Sequence, residues 1–145
     1  MTGLESFLKE DVGRWDATAD LLPDVNGRAS IVCEQDAVVA GLEEACDIFS
    51  MVGADATALV KDGSRVKAGT RVISVSGPVR GLLTAERTAL NFMMRMSGIA
   101  TATSEAVEAL REKDPDIKVC GTRKTTPGFR KYEKKAVRLG GGAEH

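Results

Sequence analysis

The chain has 145 residues, 43% of them apolar, and a formal net charge of −1. This length and composition fit one globular domain, or one small domain with part of a second, and argue against disorder. The three cysteines are odd in number and none stands in a C-x-x-C pair, so a disulfide framework or a zinc site is not expected. A reducing cytosol is the simplest inference.

Targeting and membrane signals are not expected either. The first ten residues include acids and lack the apolar core of a signal peptide. No apolar run approaches the roughly 18 residues that a membrane span requires. We therefore expect a cytoplasmic protein with no membrane partner.

The charges are distributed unevenly along the chain. Residues 1–80 carry 8 basic and 13 acidic side chains, residues 81–145 carry 12 and 8, and residues 123–138 hold seven basic side chains and one acid. That basic segment is too short and too poor in aromatic residues to predict a nucleic-acid partner, but it favours a small anionic ligand. Most of its charges are interpreted as a solvated helix face: Arg130, Lys131, Lys134, Lys135 and Arg138.

The first third of the chain has the pattern of a mixed α/β protein. Apolar residues at helical spacing predict a short helix over 4–10, and a polar, glycine-containing loop follows over 10–18. Alternating β-branched residues predict a strand over 28–34 and a second short strand at 38–39. A helix is predicted over 41–51.

Residues 55–76 contain short apolar strands separated by glycine turns, which predicts a compact β-hairpin module. The pattern resembles the half-barrels of lipoyl and biotinyl carrier domains. Such carriers present a lysine at an exposed hairpin tip, typically beside methionine, and this segment has no Met-Lys-Met or equivalent. The segment is therefore interpreted as scaffold, and a carrier is an alternative that a modified lysine would reveal.

A long helical pattern covers 83–113, with Thr84 as the expected N-cap. Ser97 and Gly98 predict a kink or break, because glycine costs about 1 kcal/mol inside a helix. A second helix is then expected over 100–111. The buried face of the first is expected to hold four residues: Leu90, Met93, Met94 and Ser97.

The C-terminal segment carries the clearest functional pattern. An apolar run at 117–120 predicts a buried strand, and residues 122–126 place hydroxyl and cationic side chains in one turn before Pro127 and Gly128. A basic amphipathic helix follows, and then three glycines before His145, the single histidine. Strand, donor-rich turn and helix in this order place charge at the carboxyl edge of a sheet, so an anionic ligand is expected at this turn.

Three segments carry a resemblance to a known family. They are EDVGR at 10–14, with Asp16 and Thr18; LTAERTALN at 83–91, with SGIAT at 97–101; and TRKTTPG at 122–128, with the glycines at 140–142 and His145. Together they are similar to the quinolinate phosphoribosyltransferases, the decarboxylating nicotinate-nucleotide pyrophosphorylases of NAD synthesis. The match runs in order over essentially the whole chain. Trp15 is a departure, because the family more often has glycine there.

The resemblance implies an α/β fold in two parts. An N-terminal α+β sandwich with a hairpin-rich barrel-sandwich module would cover 1–98, and the first strand–helix unit of an α/β barrel would cover 99–145. One such unit cannot bury its own sheet face, so we expect the sequence to be a fragment or one segment of a longer protein. It has about half the family's length, and the family's acidic residues for ribose and magnesium would lie downstream.

The resemblance also assigns substrate contacts to five residues: Arg87, Thr122, Arg123, Lys124 and His145. Arg87 would complete a site across a homodimer interface by reaching the neighbouring subunit's barrel. The implied substrates are quinolinate and phosphoribosyl pyrophosphate, and the implied products are nicotinate mononucleotide, pyrophosphate and CO₂. Mg²⁺ would bind with phosphoribosyl pyrophosphate. Neither a metal ligand nor a catalytic side chain is expected within this chain.

The residue types suit that chemistry. Quinolinate is a pyridine with two adjacent carboxylates, which a guanidinium binds bidentately and a lysine binds as a point charge. Two alternatives stay open. One is a paralogous phosphoribosyltransferase-like protein that acts on another base or is associated with molybdenum. The other is a non-catalytic scaffold module, since this chain alone is expected to be inactive.

Overall fold

A computed structural model describes residues 3–13 and 21–143 of the chain. The helices within them are α1 (Gly3–Val12), α2 (Leu42–Met51), α3 (Val79–Arg111) and α4 (Arg130–Leu139). The strands are β1 (Asn26–Val32), β2 (Ala37–Val38), β3 (Asp55–Ala58), β4 (Arg65–Val66) and β5 (Arg71–Pro78). The α/β class predicted from the sequence is confirmed.

Two small antiparallel sheets form the β-layer. β5 lies at the centre of the larger one, with β1 on one side and β3 on the other, and β2 pairs with β4 in the smaller one. The predicted glycine turns are present, and Gly63 and Gly69 have positive φ angles of 86° and 84°. The pairing is less local than a run of hairpins, because β4 lies between β3 and β5 in sequence but pairs with β2.

The hydrophobic core lies between this β-layer and the helices. β5 contributes Val72, Ile73 and Val75, and each of them is at most 2% exposed. Leu42 and Ile48 of α2 meet them, and further core residues come from α3: Ala85, Ala89, Phe92, Met96 and Ala100. Burial of this apolar surface is the main term that holds the layers together.

Helix α3 differs from the prediction in three ways. It begins at Val79, so Thr84 lies inside the helix and is not its N-cap. It continues without interruption past Gly98, and the Ser97 hydroxyl bonds to the backbone of Ala40, in the loop before α2, instead of competing for its own helix backbone. Met94 is wrong as a buried residue, since its exposed fraction is 62%.

The predicted strand at 117–120 reduces to one parallel bridge between Cys120 and Ala143. The Ala143 amide donates to the Val119 carbonyl oxygen at 2.8 Å, and the Gly121 amide donates to the Ala143 carbonyl oxygen at 3.3 Å. Burial was also predicted wrongly, because Cys120 is exposed and Val119 only half-buried. A parallel strand is buried by neighbouring strands and covering helices, and the described residues supply one short neighbour.

Helix α4 packs against α3 and α1 through its apolar side. Tyr132 joins Phe7, Phe92 and Phe129 in a cluster whose ring centroids lie 4.8–6.2 Å apart. Gly140, just after α4, lies so close to α3 that a Cβ would overlap the Ala100 carbonyl oxygen. In the part of the chain that is described, no helix is both long and apolar enough to cross a membrane.

Candidate functional site

The donor-rich turn at 122–126 is exposed and internally hydrogen-bonded. The Lys124 amide donates to the Thr122 hydroxyl oxygen at 3.1 Å, and the Thr125 amide donates to the Arg123 carbonyl oxygen at 3.0 Å. Thr122, Arg123 and Lys124 are all exposed. The ion pairs found among the described residues use neither Arg123 nor Lys124. The structure therefore brings these three predicted site residues together, with two cationic groups available to an anion.

Two basic side chains of α4 donate hydrogen bonds to this turn. Lys134 Nζ donates to the Gly121 carbonyl oxygen at 2.9 Å. Arg130 donates from Nε to the Thr125 hydroxyl oxygen at 2.9 Å and from Nη2 to the Arg123 carbonyl oxygen at 3.2 Å. The prediction that Arg130 and Lys134 are only solvated charges is therefore wrong, because both bond to the backbone or side chains of the turn.

Glu133, the single acid of α4, lies at the end of the turn and is 7% exposed. Its Oε1 accepts from Arg95 Nε at 3.2 Å, from Arg95 Nη2 at 2.6 Å and from the Thr126 hydroxyl at 2.9 Å. Its Oε2 accepts from the Thr126 amide at 3.3 Å. Burial raises the pKa of this carboxyl, but the bonds to Arg95 and Thr126 outweigh burial and hold the pKa below its usual value.

Lys135 is also wrongly predicted as solvated. Its side chain is 20% exposed and its Nζ lies 2.7 Å from Glu43, 2.8 Å from Glu44 and 3.5 Å from Asp62. Burial lowers the pKa of the ammonium, but hydrogen bonds to Glu43 and Glu44 and the nearby charges outweigh it and raise the pKa. Asp62 also accepts the Leu42 amide at 3.0 Å, so it caps the N-terminus of α2 from another loop.

Glu43, Glu44 and Asp62 are the one group of carboxylates among the described residues that lie close enough to bind a metal ion. The Lys135 ammonium already bonds to this group and balances part of its charge. These residues therefore do not fit a Mg²⁺ ion.

Arg87 lies on α3 and is not brought into contact with the turn. Its Nη1 lies 3.0 Å from Asp11 Oδ1 at the end of α1, and the Arg87 side chain is 70% exposed. The predicted loop at 10–18 therefore begins later than expected, since residues 10–12 belong to α1. His145 lies outside the described residues, as do Arg14 to Asp20.

A cavity of about 530 Å³ separates Asp11 from the end of the turn. It is open to solvent and combines aromatic walls with charged groups of both signs: Phe7, Glu10, Asp11, Thr88, Asn91, Phe92, Arg95, Thr126 and Phe129. The Thr88 hydroxyl is buried there without a hydrogen-bond partner among the described residues. The cavity is thus lined by Asp11, the partner of Arg87, and by Thr126 at the end of the turn, while Arg87, Thr122, Arg123 and Lys124 do not line it.

Sequence reasoning missed Arg95, Glu133 and the Lys135 partners. A signal existed for Glu133, because it is one acid in a segment with seven basic residues. An isolated acid among cations on an amphipathic helix favours a specific partner over general solvation. No local signal links Lys135 to Glu44, since the two are 91 residues apart.

Comparisons with known proteins identify a family whose models match nearly the whole chain. The family model described as quinolinate phosphoribosyl transferase, N-terminal domain, matches residues 16–97, and the C-terminal domain model of the same family matches residues 99–145. The probable carboxylating nicotinate-nucleotide pyrophosphorylase of Bacillus subtilis is 40% identical over 145 residues, which cover 98% of this chain and 50% of that protein.

The human carboxylating nicotinate-nucleotide pyrophosphorylase is 37% identical over 142 residues, covering 98% of this chain and 48% of that protein. The structure of the Francisella tularensis nicotinate-nucleotide pyrophosphorylase has a TM-score of 0.90 at 36% identity and covers 98% of this chain and 51% of its own. The chain thus spans about half the length of these relatives. On its matches to both domains, the chain belongs to the quinolinate phosphoribosyl transferase family.

Proposed function

We propose that this chain supplies the substrate-binding turn of an enzyme that transfers a phosphoribosyl group to quinolinate and removes one carboxyl group as CO₂. The observation that carries the proposal is the exposed Thr122–Lys124 turn, with two cations unpaired among the described residues, in a chain of this family. Thr122, Arg123 and Lys124 would bind the two carboxylates of quinolinate. A bidentate guanidinium and a lysine ammonium match the geometry and charge of adjacent carboxylates.

The reaction needs positioning more than it needs a protein nucleophile. The quinolinate ring nitrogen forms a bond to the anomeric carbon of phosphoribosyl pyrophosphate while the bond to the leaving oxygen breaks and pyrophosphate departs. The positively charged ring then accepts the electron pair left when the adjacent carboxylate leaves as CO₂, and a proton takes its place. Fixed cations on the remaining carboxylate would orient the ring for both steps.

Arg87 would act across a homodimer interface. On its own chain it bonds to Asp11 and is largely exposed, so it is available to a site on another copy. Asp11 would hold the guanidinium in a fixed direction, which lowers the entropy lost when it binds an anion. His145, the fifth predicted contact, would also bind substrate.

Mg²⁺ would accompany phosphoribosyl pyrophosphate and neutralise its leaving oxygens. The carboxylates grouped around Lys135 do not fit this ion, so no step is assigned to them.

A cytoplasmic location is part of the same proposal, because both substrates are polar metabolites.

The test is an assay of the complete gene product with phosphoribosyl pyrophosphate and Mg²⁺. We expect CO₂ release from quinolinate labelled in the carboxyl group next to the ring nitrogen, together with nicotinate mononucleotide. Nicotinate should release no CO₂, because it lacks the carboxylate that leaves. Activity with another base and none with quinolinate would favour a paralogous phosphoribosyltransferase and would contradict the proposal.

A further inference from the structure

We propose that Glu133 is a positioning residue that fixes the substrate-binding turn to helix α3 through Thr126 and Arg95. This inference depends on the proposed function, because the turn matters only if Arg123 and Lys124 bind substrate. Glu133 itself is 7% exposed and bonds to Arg95 and Thr126, so its effect on substrate would be indirect.

The contacts of Glu133 join two elements and the turn in one group. Both oxygens of its carboxylate are used: Oε1 by the Arg95 guanidinium and the Thr126 hydroxyl, and Oε2 by the Thr126 amide. Arg95 Nη2 also donates to the Thr126 hydroxyl oxygen at 3.0 Å. A carboxylate that accepts four bonds while 7% exposed is held in one orientation, since any rotation would break bonds to Arg95 or Thr126 and leave a buried acceptor unpaired.

Thr126 anchors the turn that carries the cations, together with the bonds that Arg130 and Lys134 make to it. Thr126 is two residues from Lys124, and the intervening Thr125 is already bonded to Arg130. The Phe129 amide donates to the Thr126 carbonyl oxygen at 2.9 Å, so the same residue joins the turn to the start of α4. A displacement at Thr126 would therefore move Arg123 and Lys124 together, and a shift of about 1 Å in a binding group can reduce a rate by about 100-fold.

A glutamine at position 133 would keep the size of the side chain but could not accept all four hydrogen bonds. Its amide has one acceptor oxygen and two donors, so one of the Thr126 or Arg95 donors would face an NH₂ group. The variant Glu133→Gln thus removes the charge and breaks at least one bond without creating a cavity. Glu108→Gln is the matched control, because Glu108 also pairs with an arginine, Arg65, but both side chains are exposed and the bonds of this pair go to Ser104 and not to the turn.

Two measurements on these variants test the proposal. In this chain, NMR hydrogen exchange should be about tenfold or more faster at the Thr126 amide in Glu133→Gln, with the amides in the middle of α3 unchanged. In the complete gene product, the KM for quinolinate should rise about tenfold or more, while the KM for phosphoribosyl pyrophosphate changes by less than about threefold. Glu108→Gln should change neither quantity.

Thr126→Ser and Thr126→Val form a second pair that does not alter Glu133. The serine keeps the hydroxyl bond to Glu133 and should retain the quinolinate KM, whereas the valine loses it and should raise the KM. This pair decides the question if Glu133→Gln fails to fold. If Glu133→Gln and Thr126→Val both turn over quinolinate with the wild-type KM, the positioning role of Glu133 is overturned, while the proposed function is unaffected. A wild-type protein with no activity on quinolinate would overturn the proposed function, and this inference with it.

Discussion

Arg123 combines a hydrogen-bonded backbone with an exposed side chain. Its carbonyl oxygen accepts bonds from the Thr125 amide and from Arg130, while its side chain is exposed. The backbone is therefore held and the guanidinium is free to meet a ligand. This arrangement reduces the entropy cost of binding without using the charge that binds.

The first prediction concerns this guanidinium. Arg123→Ala should weaken quinolinate binding by about 1.5–3 kcal/mol, because it removes a charge-assisted pair with a carboxylate. Isothermal titration calorimetry of the complete gene product measures the change. Lys131→Ala removes an exposed charge from the next helix and serves as the control. Equal affinities of wild type and Arg123→Ala would remove Arg123 from the site.

Lys135 shows the opposite arrangement, because its charge pairs with carboxylates of the same chain. Its ammonium is bonded to two carboxylates of α2 and lies near a third, Asp62, that caps the same helix. Removing the ammonium would leave Glu44, which is 6% exposed, without its cation. A buried carboxylate without a partner is costly, so the cation belongs to the stability of the fold.

The second prediction is that Lys135→Met lowers the free energy of unfolding by about 1–3 kcal/mol at neutral pH, a value reduced from that of a fully buried pair because the site is partly exposed. The pKa of Lys135 is raised on folding, so its stabilisation is fully present below the ordinary lysine value of 10.5 and is lost as pH rises above it. Denaturant titrations at pH 7, 9 and 11 should show the difference between wild type and variant narrowing only at the highest pH.

The control for Lys135→Met is Lys67→Met, which breaks an exposed ion pair with Asp36. That change should cost less than about 0.5 kcal/mol at every pH. Equal effects of the two substitutions would show that the Lys135 group adds no more than a surface pair.

At the scale of elements, the long helix α3 joins the β-layer to the turn. It packs against α2 and α4 along its length, with Met96 and Ala100 fully buried on either side of Gly98. Gly98 itself is exposed, and a Cβ there would meet nothing within 4 Å. Packing on both sides therefore keeps the helix continuous at a residue that disfavours it.

The third prediction compares two glycines on either side of this packing. Gly98→Ala should raise the free energy of unfolding by about 0.5–1 kcal/mol, since it improves helix propensity without a clash. Gly140→Ala should lower it by about 1–3 kcal/mol, because the added methyl group would overlap the Ala100 carbonyl oxygen and force α4 away from α3. Thermal and denaturant unfolding of both variants measure the signs, and a destabilising Gly98→Ala would mean that the helix is bent at this residue.

The elements show what local sequence can and cannot predict. Helices α1, α2 and α4 follow from apolar spacing, and the exposed turn follows from its position between an apolar run and a basic helix. The continuity of α3 could not be predicted, because it depends on long-range contacts, namely the packing around Met96 and Ala100 and the bonds between Ser97 and Ala40, 57 residues away. The Lys135 group and the link from Glu133 to Arg95 are also long-range contacts, and their residue types alone match an ordinary solvated helix.

At the scale of the whole molecule, the chain presents its predicted site residues in two places. Thr122, Arg123 and Lys124 lie at one end of α4, while Arg87 lies on α3 beside Asp11, with a cavity between Asp11 and Thr126. Such a division is expected if two copies exchange groups, because a symmetric interface repeats each contact twice. On the proposed function, Arg87 of one copy and Arg123 of another would bind the same substrate.

Subunit mixing tests this claim most directly. Arg87→Ala and Arg123→Ala variants of the complete gene product are each assayed alone and then after co-expression with different affinity tags. If the site is shared, each mixed dimer regains one intact site of two, and a random mixture should recover about a quarter of wild-type activity. If both arginines act within one chain, every site in the mixture lacks one of them. Activity no higher than that of the two separate variants would then contradict the account.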